Sequence, residues 1–310
     1  AMLWSSRGNT RDGRTKPDLA AAGAWVRGDY SGPINPHADR CDPDQMYTSM
    51  AGTSMATPVV AAAAAVLSDM FGSCSDQHGC HLRGNHEAVS APLSPGRPAS
   101  SMLRAVLAHS TRPVRHVVDF VETGSLPLYG GWLRPIRLDD PAHAQKAQAA
   151  TGFGELGAGP ALLCDDCSTF VYGESSTREF VGSINAVVSA ETGVLENEWS
   201  GDTSAHASCY RTTKPETEVT ATLAWRDYPS HTGCTSCLQS DLALHVIHSS
   251  TSLGGASHDT VNNLEQIRTT VAGVGASVKV MVSAASVSHP LVDSQRYALV
   301  VSGSGLVLDP

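Results

Sequence analysis

The residues best suited to chemistry form one short segment, Gly52-Thr53-Ser54-Met55-Ala56-Thr57-Pro58. An Ala- and Val-rich stretch follows it, which predicts that the segment opens an α-helix. A serine in a first helical turn lies among unpaired backbone N–H groups at the positive end of the helix dipole. An oxyanion forming beside Ser54 would be stabilised by those donors, as acyl transfer requires.

The helix that must position Ser54 is predicted from Met55 to Phe71. Its middle carries Ala and Val on every side, so we expect it to be buried all round and to hold Ser54 rigidly. Gly52 would let the backbone approach closely before the helix, and Pro58 suits a first turn, where a missing N–H costs little. The ordinary alternative is that Ser54 only caps the helix, since serine is common at helix N-termini for structural reasons.

Two irregular stretches and one short helix complete the first half of the chain. Residues 72–98 are rich in Cys, His, Ser, Gly and Pro, which is typical of a surface insertion, here closed by Cys74 and Cys80. A second helix is predicted from Ser100 to about Ser110, with apolar residues on one face. Residues 112–150 are irregular and indicate another insertion.

The second half of the chain has a different pattern. From about residue 168, short β-branched runs are separated by Gly, Ser, Asn and Asp. The runs that alternate most clearly as half-buried strands are 219–225, 242–247, 277–282 and 297–301. Such strands with turn signals between them predict a β-sandwich or jelly roll. We therefore expect two domains, residues 1–165 and residues 166–310.

The bulk composition is that of a folded protein and narrows the choice of partner. Hydrophobic residues make up 41% and charged residues 16%, which is globular rather than disordered. The formal net charge of -9 argues against nucleic acid or anionic lipid as the main partner. No apolar run is long enough to span a membrane. The chain lacks a signal-peptide pattern, and its first residues have the pattern of a strand interior. We therefore expect that Ala1 is not the natural N-terminus of the protein.

Eight cysteines indicate either disulfide bonds or a metal site. An even number, with several in polar loops, favours disulfides, and hence a secreted protein or another oxidising compartment. The alternative is zinc, because Cys164-x-x-Cys167 and Cys234-x-x-Cys237 each have ligand-like internal spacing. The two pairs lie much farther apart than the roughly 15–20 residues of a compact zinc ribbon, so disulfides are favoured and no zinc site is predicted.

The segment from Gly52 to Pro58 resembles the nucleophile motif of the subtilases, the subtilisin-like serine peptidases. Residues 5–18, SSRGNTRDGRTKPD, resemble the S-S-R-G-P-T…K-P-D segment that precedes the nucleophile in many subtilases. Asn9 stands where Pro is usual, and Ala22 replaces Pro in the A-P-G that follows. Residues 151–154, TGFG, resemble the aromatic-Gly turn that closes the family's catalytic domain.

The resemblance continues into the second half of the chain. LAWRD at 223–227, SDLAL at 240–244 and NNLE at 262–265 resemble strands of the C-terminal jelly-roll domain of one subtilase branch. Some relatives bind calcium in this region, but Ser240 and Ala243 replace two polar positions of the usual N-D-L-D-L. Calcium is therefore the one cofactor left open, and we expect Asp227, Asp241 and Asp259 to cap turns instead.

The resemblance implies a partial α/β subtilisin-like catalytic domain over residues 1–165, followed by the jelly-roll β domain over residues 166–310. Ser54 would be the nucleophile, and its backbone N–H would be an oxyanion donor. Gly52 and Thr53 would contact the substrate, a protein or peptide, and residues 47–51 would flank the primary specificity pocket.

In subtilases the triad runs in the order Asp, His, Ser, so Asp, His and the oxyanion Asn would all precede Ala1. The chain is thus expected to be the C-terminal part of a serine endopeptidase whose missing N-terminal part is its partner. The nearest histidines are expected to be surface residues and not a substitute base: His37, His78, His81 and His86. Without a base Ser54 is a weak nucleophile, so we expect negligible hydrolysis by this chain alone.

Two other functions fit parts of the sequence. A degenerate subtilase could serve as a non-catalytic secreted module whose jelly roll binds protein or carbohydrate. The Cys-x-x-Cys pairs and the His-rich stretch would also fit a zinc-binding protein. The sequence upstream of Ala1 separates the module from the enzyme, because Asp and His motifs there support the enzyme. A count of free thiols together with a metal analysis decides the zinc alternative, because disulfides leave few free thiols.

Overall fold

The structure of the chain is a computed structural model that describes most of the sequence in separate stretches. These are residues 4–29, 47–72, 81–82, 86–90, 98–114, 116–119, 134–137, 148–157, 168–176, 206–235, 237–248, 252–257, 259–287 and 295–309. Several residues singled out above lie outside the described residues, namely Cys41, Cys74, Cys80, Cys164, Cys167, His37 and His78.

The described residues form helices and strands in the order that the sequence pattern indicates. The helices are α1 (Thr53–Gly72) and α2 (Ser100–His109). The strands in chain order are β1 (Val26–Asp29), β2 (Tyr47–Met50), β3 (His81–Leu82), β4 (His86–Ser90), β5 (Thr111–Arg112), β6 (His116–Asp119), β7 (Arg134–Arg137), β8 (Glu155–Leu156), β9 (Ser168–Ser176), β10 (His206–Thr212), β11 (Glu216–Trp225), β12 (Asp241–His248), β13 (Ser252–Ser257), β14 (Leu264–Ala272), β15 (Ser277–Ser286), β16 (Arg296–Gly303) and β17 (Leu306–Leu308).

The chain divides into two compact units. The first comprises Ala1–Asn9, Thr15–Ala65 and Arg112–Leu156. The second comprises Thr10–Arg14, Val66–Thr111 and Gly157–Pro310. The predicted domain boundary near residue 165 falls within residues 158–167, which lie outside the described residues, and it stays a prediction.

Two short antiparallel ribbons belong to the first unit. One joins β1 and β2, with Val26 opposite Met50 and Asp29 opposite Tyr47. Within it the guanidinium of Arg27 lies 5.0 Å from the centre of the Tyr47 ring, a cation–π contact. The other ribbon pairs β6 with β7, so the predicted insertion over residues 112–150 contains regular structure.

Two sheets make up most of the second unit. One has the strand order β13-β12-β15-β10-β17, and the other has the order β14-β11-β16-β9-β4-β3. The strand pairs are antiparallel except that β4 runs parallel to β9. From β9 to β12 each strand lies in the sheet opposite to that of the strand before it.

One apolar core receives side chains from both sheets. Its fully buried members include Tyr210 of β10, Leu244 of β12 and Leu299 of β16. Trp225 of β11 is also buried there, and its indole Nε1 donates to the Ser240 carbonyl at 2.9 Å. The one polar atom of that side chain is therefore satisfied inside the core. These sheets confirm the predicted β domain in the second half of the chain.

Helix α2 packs against β11 and β16 of the six-stranded sheet, on the face away from the core. Ala105 and Val106 of the helix are fully buried there. This cover explains the burial pattern of β11, which alternates in its first half and is then buried on both faces from Ala221 to Trp225. The sequence predicts alternation along the whole strand because it does not show which part a helix will cover.

A buried imidazole anchors α2 to the sheet. His109 Nδ1 lies 2.9 Å from Thr222 Oγ1, and His109 Nε2 lies 2.7 Å from Ser302 Oγ. Burial, and secondly the charge of Arg268, lower the pKa of His109 to about 3. The ring is therefore neutral at pH 7, with one nitrogen donating to a hydroxyl and the other accepting from one. Gln266 Nε2 extends the network by donating to Thr222 Oγ1 at 2.9 Å.

Both predicted helices and the four predicted strands are confirmed, with bounds that differ by a few residues. The prediction that α1 is buried on all sides is wrong. Val59 is 41% exposed and Val66 is 53% exposed, whereas Leu67 and Phe71 are buried. The Ala-rich sequence of α1 shows that the helix lacks polar side chains. It does not show whether another segment of the protein covers the helix. The described part of the chain leaves this face of α1 uncovered.

The predicted insertion over residues 72–98 contributes to the six-stranded sheet. Its strand β4 pairs with β9, with His86 opposite Thr169, and β3 pairs with β4. The backbones of His81 and His86 therefore belong to strands, while their side chains lie outside the described part of the structure. Residues 72–98, predicted to be an irregular insertion, thus supply two strands at the edge of the sheet.

One pair of cysteines is bonded in the described part of the chain. Cys234 and Cys237 form a disulfide, and Cys209 of β10 is an exposed free thiol. Because their sulfurs are bonded to each other, Cys234 and Cys237 are not thiolate ligands for zinc. Among the described residues no three His, Cys, Asp or Glu side chains come together as a metal site. Over the same residues, no helix combines the length and hydropathy needed to cross a bilayer.

Candidate active site

Ser54 lies in the first turn of α1, as the second residue of the helix, and its side chain is exposed. A backbone N–H at this position has no carbonyl within the helix to bond, so it remains available to a ligand. Among the described residues neither the hydroxyl nor the backbone N–H of Ser54 has a hydrogen-bond partner. The hydroxyl and a free N–H donor thus belong to the same residue, as an oxyanion-forming nucleophile requires.

Pro58 lies deeper in the helix than the sequence suggests. It is the sixth residue of α1 and therefore belongs to the second turn, where an ordinary residue would donate its N–H to the carbonyl four residues earlier. That carbonyl belongs to Ser54. Pro58 therefore leaves the Ser54 carbonyl without its intrahelical donor, and this corrects the expectation that the proline fills a first-turn position.

The close backbone approach beside the helix occurs at Gly23 rather than at Gly52. The Gly52 N–H donates to the Gly23 carbonyl at 2.8 Å. A Cβ on Gly23 would lie 2.6 Å from the Gly52 carbonyl oxygen and 3.0 Å from the Ala56 Cβ, so no side chain fits. At Gly52 the nearest atom would be Met55 Sδ at 3.6 Å, an ordinary contact. The expectation for Gly52 is therefore wrong, and Gly23 is the residue that the sequence analysis missed.

The strand ribbon before Ser54 presents apolar side chains to solvent. Tyr47 is 45% exposed and Met50 is 54% exposed, and Met50 lies four residues before Ser54. Trp25, which precedes β1, is 77% exposed and adopts φ 55°. A bulky residue in this left-handed region is uncommon and strained. Tyr47 and Met50 lie within residues 47–51, the stretch predicted to flank a specificity pocket, and that role stays a prediction.

The two other catalytic-domain segments of the sequence analysis meet in the first unit. The Phe153 N–H donates to the Asp18 carbonyl at 2.9 Å, and the Ala20 N–H donates to the Gly154 carbonyl at 2.8 Å. Gly152 has φ 60°, and a Cβ on it would lie 2.2 Å from the Asp18 carbonyl oxygen. The end of the 5–18 segment and the TGFG turn are thus packed against each other at Gly152, where only glycine fits.

No histidine among the described residues forms a hydrogen bond with Ser54. His109 is bonded to Thr222 and Ser302, and His245 Nε2 lies 3.1 Å from Ser283 Oγ. Both of these rings are buried. Neither of these two buried rings is therefore a free base for the chemistry predicted for Ser54.

Two of the three acidic residues expected to cap turns do so. Asp227 accepts the backbone N–H groups of Gln239 and Ser240 at 2.7 and 2.8 Å. Burial raises the pKa of Asp227, while these backbone hydrogen bonds oppose that shift. Asp259 Oδ1 accepts the N–H groups of Val261 and Asn262 at 2.9 and 3.1 Å. The third residue, Asp241, begins β12.

Glu265 is a buried carboxylate, only 2% exposed, for which the sequence pattern predicts no role. Its Oε2 accepts the Leu244 N–H and its Oε1 accepts the Asp259 N–H, both at 3.0 Å. This carboxylate joins β12 to the turn before β14. The sequence offers one signal for it, an acidic residue within an apolar strand pattern, and that signal does not identify the partners.

Comparison with known proteins identifies the first part of the chain. Residues 1–130 match the profile of the Subtilase family. Residues 1–130 belong to the subtilases. A Dictyostelium discoideum protein, named serine protease/ABC transporter B family protein tagD, is 25% identical over 331 residues and covers 97% of this chain. The chain spans 17% of the length of that protein.

The subtilase match includes Ser54, the SSRG segment and helix α2. The similarity to the Dictyostelium protein extends through the β domain as well, because it covers nearly the whole chain. The subtilase match thus covers the first part of the chain, and the whole chain is similar to a small part of a much longer relative.

Proposed function

We propose that this chain is the nucleophile-bearing part of a subtilisin-like serine endopeptidase and that it acts within a longer protein. One observation carries the proposal: Ser54 is exposed in the first turn of α1, inside a seven-residue segment with the family's nucleophile motif. A helix-capping role alone would not require the matching residues on both sides of the serine.

In the proposed reaction Ser54 Oγ attacks the carbonyl of a peptide bond while a histidine accepts its proton. An aspartate orients that histidine, and both residues come from the part of the protein that precedes this chain. The Ser54 N–H donates to the oxyanion, together with an asparagine from the same preceding part. The acyl group on Ser54 is then hydrolysed by water. Gly52 and Thr53 line the substrate backbone, and residues 47–51 flank the side chain that sets specificity.

The exposed face of α1 supports the existence of such a preceding part. Val59 and Val66 are exposed on a helix whose other residues on this face are mostly alanine. An exposed apolar face of this kind marks a surface that another segment or protein covers. We propose that the rest of the peptidase domain packs there and delivers the histidine to Ser54.

We also propose that the β domain is a jelly roll of a secreted protein. The strands from β9 to β12 alternate between two sheets of orders β13-β12-β15-β10 and β14-β11-β16-β9, which supports this topology. The disulfide between Cys234 and Cys237 supports an oxidising compartment.

The direct test measures hydrolysis of a protein substrate by the complete protein and by its Ser54→Ala variant. The proposal predicts that Ser54→Ala lowers turnover by about a millionfold, the cost of losing the nucleophile in subtilisin itself. Ser68→Ala is the matched control, because Ser68 belongs to the same helix and should leave turnover unchanged. Full activity in Ser54→Ala would refute the assignment.

The isolated 310-residue chain separates the peptidase from a non-catalytic binding module. For the peptidase, the chain alone hydrolyses peptides negligibly, and activity appears when the preceding part is present in the same protein. For the module, the complete protein is also inactive and binds protein or carbohydrate without a need for Ser54. Turnover by the isolated chain that depends on Ser54 would contradict both.

A further inference from the structure

The loop between β11 and β12 carries a Cys-x-x-Cys pair that the proposed peptidase reaction does not use. Cys234 and Cys237 are bonded to each other across a separation of three residues. The carboxylate of Asp227 holds the end of the loop by accepting the N–H groups of Gln239 and Ser240. The loop is therefore anchored at its base without the disulfide.

A disulfide ring this small contributes little as a cross-link of the fold. The entropy that a disulfide removes from the unfolded chain grows with the number of residues in the closed loop, and this loop is close to the minimum. The bond joins neighbours within one loop and links no two elements of either sheet. A chemical role for the pair is therefore more consistent with its position than a stabilising one.

A cavity lies against the disulfide. It has a volume of about 420 Å³, which is within the range of small-molecule sites. Its walls include both cysteines, Arg14, Arg226 and Tyr228. Cys234 and Cys237 are each half-buried, so their sulfurs are sheltered without being closed off from the cavity.

The two arginines of this cavity supply unused hydrogen-bond donors, whereas its two carboxylates are already engaged. Asp12 accepts from Thr10 Oγ1 at 2.5 Å and from Arg14 Nε at 2.7 Å, so both of its oxygens are occupied. Both oxygens of Asp227 are occupied by backbone N–H groups. Among the described residues the guanidinium of Arg226 has no partner, and the terminal nitrogens of Arg14 have none either. An anionic group is the ligand that these nitrogens can hold.

We propose that this cavity is a thiol–disulfide exchange site for a small thiol that carries carboxylate groups. Arg14 and Arg226 bind the carboxylates, and this places the thiolate sulfur against the bond between Cys234 and Cys237. The inference goes beyond the peptidase function and does not depend on it.

The exchange balances in two steps. The small thiolate attacks one sulfur of the disulfide, a new S–S bond forms, and the other cysteine leaves as a thiolate with the electron pair. A second small thiolate then attacks the mixed disulfide and releases the first cysteine. Two small thiols are oxidised to one disulfide, the protein gains two electrons, and its two thiolates take protons from water.

The test compares reaction of the full 310-residue chain with glutathione, which is anionic, and with glutathione diester, which lacks the carboxylate charges. Both are used at equal thiolate concentration, and the reaction is stopped with an alkylating reagent. Trypsin releases both cysteines in one peptide, residues 227–268, which contains no other cysteine. Mass spectrometry of this peptide gives the rate of exchange without interference from the other six cysteines.

The proposal predicts that glutathione reacts faster than its diester with the native chain. Arg14→Gln and Arg226→Gln should each lower this preference about two- to fivefold, as the loss of one partly screened charge pair does. In Arg226→Gln the peptide is read as residues 212–268, because trypsin does not cleave between Lys214 and Pro215, and it still contains only these two cysteines. Arg11→Gln is the matched control, because Arg11 is an exposed arginine of the same turn and does not line the cavity.

Three outcomes would overturn the proposal. The native chain could react equally fast with both thiols, the double variant Arg14→Gln/Arg226→Gln could keep the full preference, or Arg11→Gln could lower it equally. Circular dichroism of each variant verifies that the fold is retained before the rates are compared. The preference should also weaken as sodium chloride is raised, because salt screens the charges involved.

Discussion

Acidification from pH 7 to pH 5 should destabilise the second unit through one buried imidazole, that of His109. Its pKa is about 3 in the folded chain and 6.5 when it is unperturbed, because burial disfavours the charged ring. Between these two values the unfolded chain binds a proton at this residue and the folded chain does not. The free energy of unfolding therefore falls as the pH falls through this window and is unaffected above it.

The size of the effect follows from the same two pKa values. The slope is about 1.4 kcal/mol for each pH unit. From 6.5 to 5 the loss is therefore about 2 kcal/mol, and it continues toward pH 3 at the same slope. Such a loss is a large fraction of the roughly 5–15 kcal/mol that stabilises a typical domain.

Urea unfolding of the native chain and of His109→Gln, measured from pH 8 to pH 4.5, isolates this contribution. Glutamine can hydrogen-bond to Thr222 and Ser302 but does not titrate, so the difference between the two proteins contains the proton of His109. That difference should be constant above pH 6.5 and should decrease below it. His231→Gln is the control, because it replaces an exposed histidine by the same residue type. A difference that stays constant from pH 8 to pH 4.5 would refute the assignment of a neutral buried ring.

Three further substitutions test other parts of the structure. Gly23→Ala should displace the turn before α1 and lower the free energy of unfolding by about 1–3 kcal/mol, because its Cβ would lie 2.6 Å from a carbonyl oxygen. Thermal unfolding measures this loss, and unchanged stability would contradict the close approach. Glu265→Gln should lower the free energy of unfolding in urea by about 2–3 kcal/mol, because the new amide nitrogen would face one of the two backbone N–H groups that the carboxylate accepts. Glu216→Gln is the control, because Glu216 is exposed and its substitution should change this free energy little. Asp227→Ala should speed hydrogen exchange at the Gln239 and Ser240 amides by releasing both donors, and unchanged exchange there would show that the carboxylate does not hold the loop.

Most helices and strands of the fold could be predicted from the sequence because each has a strong local pattern. The apolar face of α2 and the alternating runs of β11, β12, β15 and β16 predict the observed elements to within a few residues. The sequence does not predict which segment packs over each element, because burial depends on packing between distant parts of the chain. The two-sided burial of β11 under α2 and the exposed face of α1 are examples.

At the candidate site, too, the sequence predicts the local element but not the contacts between distant segments. The motif predicts where Ser54 lies, because seven consecutive residues specify a helix start and its contents. The role of Gly23 depends on the meeting of two segments 29 residues apart, and the network of His109 joins residues more than a hundred positions apart. No pattern of spacing along the chain encodes such contacts, so the sequence indicates the residue types and the structure supplies the partners.

Covalent labelling of the complete protein with a fluorophosphonate tests the central claim most directly, because this reagent reacts with activated serine hydroxyls. Mass spectrometry of the labelled protein identifies the modified residue. We expect a single phosphonylated residue, Ser54, in the complete protein, and no adduct in the isolated chain or after Ser54→Ala. An actively proteolytic protein that carries its adduct on another serine, or none at all, would contradict the assignment of Ser54 as the nucleophile.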